Sequence, residues 1–440
     1  MSPEILAILM FLSVLILIFL GHPLGFVLGF SGVAWGLVLL GPSCLPIFAS
    51  RVYGVMDTFV LVAVPLFIFM ANILEQSGLA GRLFDAMRLL MGPLRGGMAM
   101  AVVVVCAAFA ACTGIIGASV VTMGLLALPA MVKRGYGKEL ASGTVAAGGC
   151  LGILIPPSIM LVIMGQQAAL SVGKLFMGAV GPGVILAALY IVYIGIRCYR
   201  KPEEGPAMSP EERAKTRIRT RLRVGLVDLV PVVLLIVGVL GTIFAGIATP
   251  TEAAAVGVLI SFLLVLAYRR FTWQGLRTAV ISTAKTTSMV MIILVGAACF
   301  TATFLGMGGG PAITNMLVGL GLGKWGTFAI MMLMLIIMGM FIDYIGIIMI
   351  TFPIFLPVAA YFGFDPLWFV VIMAVNLQAS FLTPPFGYAL FYLKGILPEG
   401  VSMGNLIRGV IPFVVLIAVG IAICTLVPSA VTWLPGLMIK

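Results

Sequence analysis

The chain has 440 residues, of which 62% are apolar and 9% charged, and its mean hydropathy is +1.26. Soluble domains carry roughly 45–50% apolar and about 25% charged residues, so no aqueous surface can be built from this composition. The formal charge of +11 comes from 25 basic against 14 acidic residues; in a membrane chain such an excess marks cytoplasmic loops rather than nucleic-acid binding.

Apolar runs approach 20 residues, whereas strands of a membrane barrel show about 10 residues of alternating polarity. The fold class is therefore an all-α polytopic membrane protein. No basic region or small-residue cleavage site precedes the first run, so the start is read as mature sequence. Runs at 4–20, 23–40 and 57–76 are predicted crossings. Residues 78–92 set Arg82, Asp85 and Arg88 among Leu, Phe and Met, which suits an amphipathic helix at the interface. The run 98–131 begins beside Arg95 and ends beside Lys133 and Arg134, so both ends face the cytoplasm and the segment is a re-entrant hairpin. A crossing over 139–165, broken at Ile155-Pro156-Pro157, and another over 178–196 complete the first half.

Residues 197–223 hold nine basic and four acidic side chains and cannot span; they are predicted to be a cytoplasmic linker. Beyond it come crossings at 226–246, 251–267 and 285–305, a hairpin at 326–359 and a crossing over 366–393 broken at Pro384-Pro385. A last run covers 406–427, which makes ten crossings and two hairpins in all.

The two halves, 1–196 and 224–440, look duplicated. The only Pro-Pro pairs are 228 residues apart, and the same shift places Pro129 on Pro357, Gly135 on Gly363 and Gly29 on Gly257. Charge gives the orientation. Arg82, Arg88, Arg95, Lys133, Arg134 and Lys138 fall on Gly310, Met316, Gly323, Tyr361, Phe362 and Pro366, none of them basic. Equivalent loops therefore face opposite sides, as in the inverted-topology repeats of secondary transporters. Both termini are then periplasmic, and every basic residue except Arg51, Lys174, Lys324 and Lys440 is cytoplasmic.

Enzyme signatures are missing: there is one histidine, His22, and no nucleophile, metal or phosphate-loop motif. The seven cysteines form no Cys-x-x-Cys and mostly sit in apolar runs, as small core residues do. What remains is broken backbone at membrane depth, which persists only where it is buried in protein or lines a polar cavity. Freed carbonyls suit a small cation, and half-helix N-termini suit an anion. The first hairpin turns through Thr113, Gly114 and Ser119, opposite the break at Pro156, Pro157 and Ser158. Tight helix packing through small residues is the competing reading of that turn. The second hairpin turns at Gly339 and Asp343, opposite Asn376, Ser380, Thr383, Pro384 and Pro385. A carboxylate at mid-bilayer costs on the order of 3 kcal/mol, so Asp343 is expected either to cap a half-helix or to hold a cation. Thr113, Gly114, Ser119, Gly339, Asp343 and Thr383 are the cation candidates. Pro156, Pro157, Ser158, Asn376, Ser380, Pro384 and Pro385 are the solute candidates. Glu252 is read as structural, because Thr249-Pro250-Thr251-Glu252 is a capping box.

At these residues the chain resembles the large membrane subunit of tripartite ATP-independent periplasmic (TRAP) transporters. The resemblance rests on Gly246 through Ala255, on Ile155-Pro156-Pro157-Ser158, on Leu382 through Gly387, on Lys133-Arg134-Gly135-Tyr136 and on the Asp343 segment. The first hairpin tip departs from the family, which has a serine-richer turn after the first glycine. The resemblance implies a sodium-coupled, elevator-type importer in the bacterial inner membrane, with Na+ as coupling ion and no resident cofactor. It also implies a small four-helix membrane subunit, a periplasmic substrate-binding protein and an organic acid anion as solute. A self-sufficient dicarboxylate or ion transporter of related architecture is the alternative.

Overall fold

The computed structural model describes residues 2–114, 116–209, 218–385 and 387–437, and every regular element among them is helical. The first half contains α1 (Pro3–Phe19), α2 (Leu24–Leu40), α3 (Cys44–Met56), α4 (Ala63–Ser77) and α5 (Leu79–Met91). It continues with α6 (Gly97–Thr113), α7 (Ile116–Lys133), α8 (Lys138–Cys150), α9 (Ile159–Gln167) and α10 (Val172–Arg200). The second half opens with α11 (Ile218–Ile236), α12 (Pro250–Ala267), α13 (Trp273–Gly306), α14 (Gly309–Gly319) and α15 (Gly323–Gly339). It closes with α16 (Tyr344–Tyr361), α17 (Pro366–Leu382), α18 (Tyr388–Lys394), α19 (Met403–Leu426) and α20 (Ser429–Gly436).

The 228-residue register holds element by element. Shifted by that number, α7 takes the limits of α16, and α8, α9 and α10 fall on α17, α18 and α19. Gly135 and Gly363 both turn the chain in the left-handed region, at φ +81° and +66°, and both Pro-Pro bonds are cis. Packing is exchanged between the halves. Helix α2 packs on α13 while α12 packs on α4, and α7 packs on α18 while α16 packs on α9. Reciprocal exchange of this kind is what a two-fold relation between the halves produces.

One element breaks the correspondence. The sequence predicts no helix over 41–56, yet α3 forms there and is followed by a 3-10 turn at Phe59–Val62 before α4. In the second half the equivalent stretch is the single 34-residue helix α13. Thr272 caps α13 by accepting from Gly275 N–H at 3.0 Å, and Ala279 packs on Ile73 and Val265. Gly41 at φ +66° and the bend at Asp57-Thr58 punctuate the first copy instead.

Among the described residues eight helices are long and apolar enough to cross a membrane on their own. Seven of them belong to the ten predicted crossings, and the eighth, Tyr344–Tyr361, is a hairpin arm. The other three crossings are the 17-residue α1 and the two broken pairs, α8 with α9 and α17 with α18, which no length criterion can recognise.

Lipid tails are as apolar as leucine, so close backbone approach through small residues takes over from the hydrophobic drive. Gly25, Gly29 and Gly32 of α2 lie against Ile292, Gly296 and Phe300 of α13. Gly143 of α8 lies on Gly409 of α19, where a side chain at either position would collide with backbone.

The two hairpin bases differ in chemistry. At the first, the start of the linker lies across the turns as a strap. Gly96 N–H donates to Gly205 O at 2.8 Å, Gly137 N–H to Glu204 O at 2.9 Å and Met208 N–H to Gly92 O at 2.8 Å. Arg197 pins the strap through Glu204 at 2.5 Å. Linker residues 210–217 lie outside the described residues. At the second base, Trp325, Phe328, Phe364 and Trp368 form an aromatic cluster, with Lys324 Nζ 4.4 Å from the Phe364 ring. Arginine and carboxylate gather at the first base and aromatic rings at the second, and aromatic belts occur at either membrane interface.

Candidate functional site

Each hairpin tip rests on the break of its own half. In the first half Gly114 is buried at φ +60°. A carbon added there would stand 3.1 Å from Ile159 N, 3.2 Å from Pro157 O and 3.3 Å from Ser158 Cα. Only a glycine lets the tip meet the backbone of the break this closely. Pro156, Pro157 and Ser158 are buried at that break, and Ser119 is buried in α7. The Ser158 hydroxyl turns back to the Ile153 carbonyl oxygen, and no side chain caps the first turn of α9. The tip thus presents backbone N–H groups and small side chains. The Thr113 side chain and the whole of Ile115 lie outside the described residues.

In the second half α17 lies along α15. Asn376 Nδ2 donates to Met332 O at 2.8 Å, and the Ser380 hydroxyl donates to Leu335 O at 3.2 Å. These residues are four apart and share one helix face. Gly339 continues the seam, close enough that an added carbon would stand 2.7 Å from Ser380 Oγ. At the break, Thr383 donates to Ala379 O at 2.7 Å. The carbonyl oxygens of Phe381 and Thr383 converge, both 3.0 Å from where a side-chain carbon of Gly387 would be. Pro384 is half-buried and Pro385 exposed; Phe386 lies outside the described residues.

Asp343 occupies the N-cap position of α16 in extended geometry, φ −64° and ψ 155°, with the Tyr344 and Ile345 backbone N–H groups beside its carboxylate. It is partly exposed. The phenols of Tyr344, Tyr388 and Tyr392 lie within its electrostatic reach. Tyr392 also touches the other hairpin, since a carbon added at Gly117 would stand 3.2 Å from its ring. Tyr392 thus packs on the first hairpin while its phenol lies within electrostatic reach of Asp343 at the second.

The predicted site residues fall into three groups. Gly114, Pro157 and Ser158 meet at the first break, Gly339, Asn376 and Ser380 meet along α15, and Asp343 stands beside the tyrosines of α18. Sequence reasoning missed Tyr392 and Gln378. Gln378 is fully buried, and neither its amide nitrogen nor its oxygen has a partner among the described residues. The Asn376 Oδ1 is likewise unpaired. A polar side chain left over in an apolar helix is the signal that could have found Gln378, as it found Asn376. Glu252 closes its capping box with Thr249, at 2.7 Å and 3.3 Å, away from the tips.

Chemically, the described tips offer neutral oxygens, uncapped half-helix starts and one carboxylate. Among the described residues no group of three metal-binding side chains occurs. Such a set suits a weakly bound monovalent cation and a polar solute better than a resident transition metal.

Residues 11–430 match the family described as "Tripartite ATP-independent periplasmic transporter, DctM component". The chain is 33% identical over 412 residues to the C4-dicarboxylate TRAP transporter large permease protein DctM of Pseudomonas aeruginosa, covering 93% of each. It is 32% identical over 417 residues to the isethionate TRAP transporter permease protein DctMQ of Oleidesulfovibrio alaskensis, covering 94% of this chain and 64% of that one. Among solved structures, the YdaH transporter of Alcanivorax borkumensis superposes with a TM-score of 0.61 at 16% identity, covering 91% and 90% of the two chains. That likeness concerns the fold.

Proposed function

The chain belongs to the DctM family of tripartite ATP-independent periplasmic transporters, and from that membership we propose that it moves an organic acid anion inward, coupled to sodium, by an elevator mechanism. It is a large permease subunit and a multi-pass protein of the inner membrane. The proposal adds the solute class, the ion, the motion, the partners and the sidedness. The observation that carries it is the seating of each hairpin tip on its own broken helix, at Gly114 against Ser158 and at Gly339 against Ser380. Pre-formed breaks of this kind put carbonyls and half-helix N-termini at one depth, which is how a cation and an anion are held together.

In this reading Gly114, Ser119, Gly339, Asp343 and Thr383, with Thr113 beside them, surround the cations. Pro156, Pro157, Ser158, Asn376, Ser380, Pro384 and Pro385 line the solute. The units 1–196 and 224–440 each supply scaffold helices and one hairpin with its broken helix, and the hairpins and broken helices travel together. A periplasmic binding protein delivers the solute, and a small four-helix subunit extends the scaffold. The names of the relatives support the solute class, since C4-dicarboxylates and isethionate are both organic anions. Both termini face the periplasm, as the charge asymmetry requires.

Reconstitution with the partner subunits tests this. Uptake should require a sodium gradient and ignore ATP. Equal uptake driven by protons alone would remove sodium while leaving the solute class standing. Uptake without any binding protein would favour the self-sufficient transporter.

A further inference from the structure

We propose that Arg51 and the cavity it lines form a receiving site for a small carboxylate on its way to the first break. This rests on the anion-import reading above and names a site away from the hairpin tips.

The cavity has a volume of about 640 Å³ and is walled by two sets of elements. Ser50, Arg51 and Gly54 of α3 stand with Thr301 of α13 on one side; Gln166 and Gln167 at the end of α9 stand on the other. Among the described residues Arg51 is its one charged lining residue, and none of them makes an ion pair with it. Small-molecule sites are concave spaces of roughly 300–1,000 Å³ with a few placed polar groups. A guanidinium, which only donates, and the NH2 groups of two side-chain amides suit a carboxylate.

The position adds direction. Helix α9 presents its C-terminal, partly negative end to the cavity and its positive end to the break at Ser158. The two ends are about 12 Å apart at 1.5 Å per residue. Without a cation the cavity end would repel an anion; Arg51 offsets that end, and the field along α9 then favours passage toward Ser158. The cavity also lies away from the basic linker, because the 29-residue α10 runs from Val172, close after Gln167, to Arg200 at the strap. Under the positive-inside rule it opens to the periplasm. The space opens at Ser50, Arg51 and Gly54, all of them exposed, so a small anion can enter it from solvent.

A cysteine at Gly54 reports on this space, since a carbon added there meets nothing within 4 Å. The described native cysteines are buried. Intact cells carrying Gly54→Cys in the complete transporter are treated with impermeant methanethiosulfonates bearing either a sulfonate or a quaternary ammonium. The ratio of sulfonate to ammonium rates should fall at least tenfold on Arg51→Gln and be retained by Arg51→Lys. An unchanged ratio, or labelling only after permeabilisation, overturns the site. In uptake assays Arg51→Gln should raise the concentration of loaded binding protein needed for half-maximal rate, with half-saturating sodium unaltered. A loss traced to weaker docking of the binding protein would make Arg51 a protein contact and overturn the proposal. If the wild type carries no organic anion, the import reading fails, and the labelling ratio still decides whether the cavity gathers anions.

Discussion

Asn376 ties the second broken helix to its own hairpin by donating to the carbonyl oxygen of Met332 at 2.8 Å. Its counterpart in the first half is Gly148, which lies against Cys106 and Val103 of α6. One half closes this seam with a glycine that admits the Cys106 side chain, and the other closes it with an amide whose second atom, Oδ1, is unpaired among the described residues.

If that free oxygen meets the solute, Asn376→Ala should lower uptake at least tenfold while costing stability only about 1 kcal/mol, the worth of one hydrogen bond. Uptake and thermal unfolding in detergent measure the two separately. Normal uptake with reduced stability would leave Asn376 as a strut.

Asp343→Asn keeps the size and capping capacity of the side chain, since Asn and Asp rank alike at N-caps. A lost charge beside a bound cation weakens the site by up to about 4 kcal/mol at an effective dielectric near 20. The half-saturating sodium concentration should therefore rise at least tenfold, as about 1.4 kcal/mol is one decade. Detergent stability without sodium should barely move. Unaltered sodium dependence would return Asp343 to the helix end.

Gly409→Leu should disrupt the bundle, because its first side-chain carbon would collide with the Glu139 carbonyl oxygen on α8. Overpacking costs typically 1–3 kcal/mol, and collision with backbone lies at the upper end. Gly54→Ala is the contrasting control, with open space around it. Size-exclusion profiles of the two should separate clearly; a monodisperse Gly409→Leu protein would refute the close approach.

The strap should loosen in acid. Burial raises the Glu204 carboxyl, but the hydrogen bond and charge of Arg197, followed by Lys201, outweigh it and hold the group below its ordinary value. A depressed folded value means that the contribution is complete above the unfolded value of about 4.3 and disappears as pH falls through the folded one. On the order of 1 kcal/mol is at stake for a partly exposed pair. Glu204→Gln should abolish this part of the acid sensitivity in hydrogen exchange at Gly96 and Gly137.

Sidedness has its own check. A cysteine replacing the exposed Glu203 should resist impermeant thiol reagents in intact cells and react after permeabilisation. Ready labelling from outside would reverse the orientation of the chain.

Much of the architecture was legible because proline and glycine constrain backbone regardless of how apolar their surroundings are. The pairs at Pro156-Pro157 and Pro384-Pro385, and the turns at Gly135 and Gly363, carried the repeat register to within a residue or two. Helix α3 escaped notice because Pro46, Arg51 and Gly54 interrupt its pattern, and its 13 residues are too few to span. The first turns of α13 were missed for the opposite reason: Arg277 and the polar residues around it look like loop, but they line the outer face of a helix whose inner face touches Ile73 and Val265. The strap was hidden because its backbone hydrogen bonds to the turns all involve a glycine and its Arg197–Glu204 pair lies within one charged stretch that reads as a solvated linker. Tyr392 was hidden because its role depends on Gly117, 275 residues earlier in the chain.

The divided arm of α3 and α4, set against the single rod of α13, bears on how long the transporter rests in each posture. Were the halves identical, exchanging their roles would turn the inward-open form into the outward-open one, and the two would have equal free energy. A hinge between Met56 and Ala63 with no equivalent in α13 removes that degeneracy. Under the elevator reading, the idle protein should then favour one side of the membrane even without ions, solute or partners. Splinting the bend at Asp57-Thr58, or introducing one near Lys285, should shift that resting balance in opposite directions.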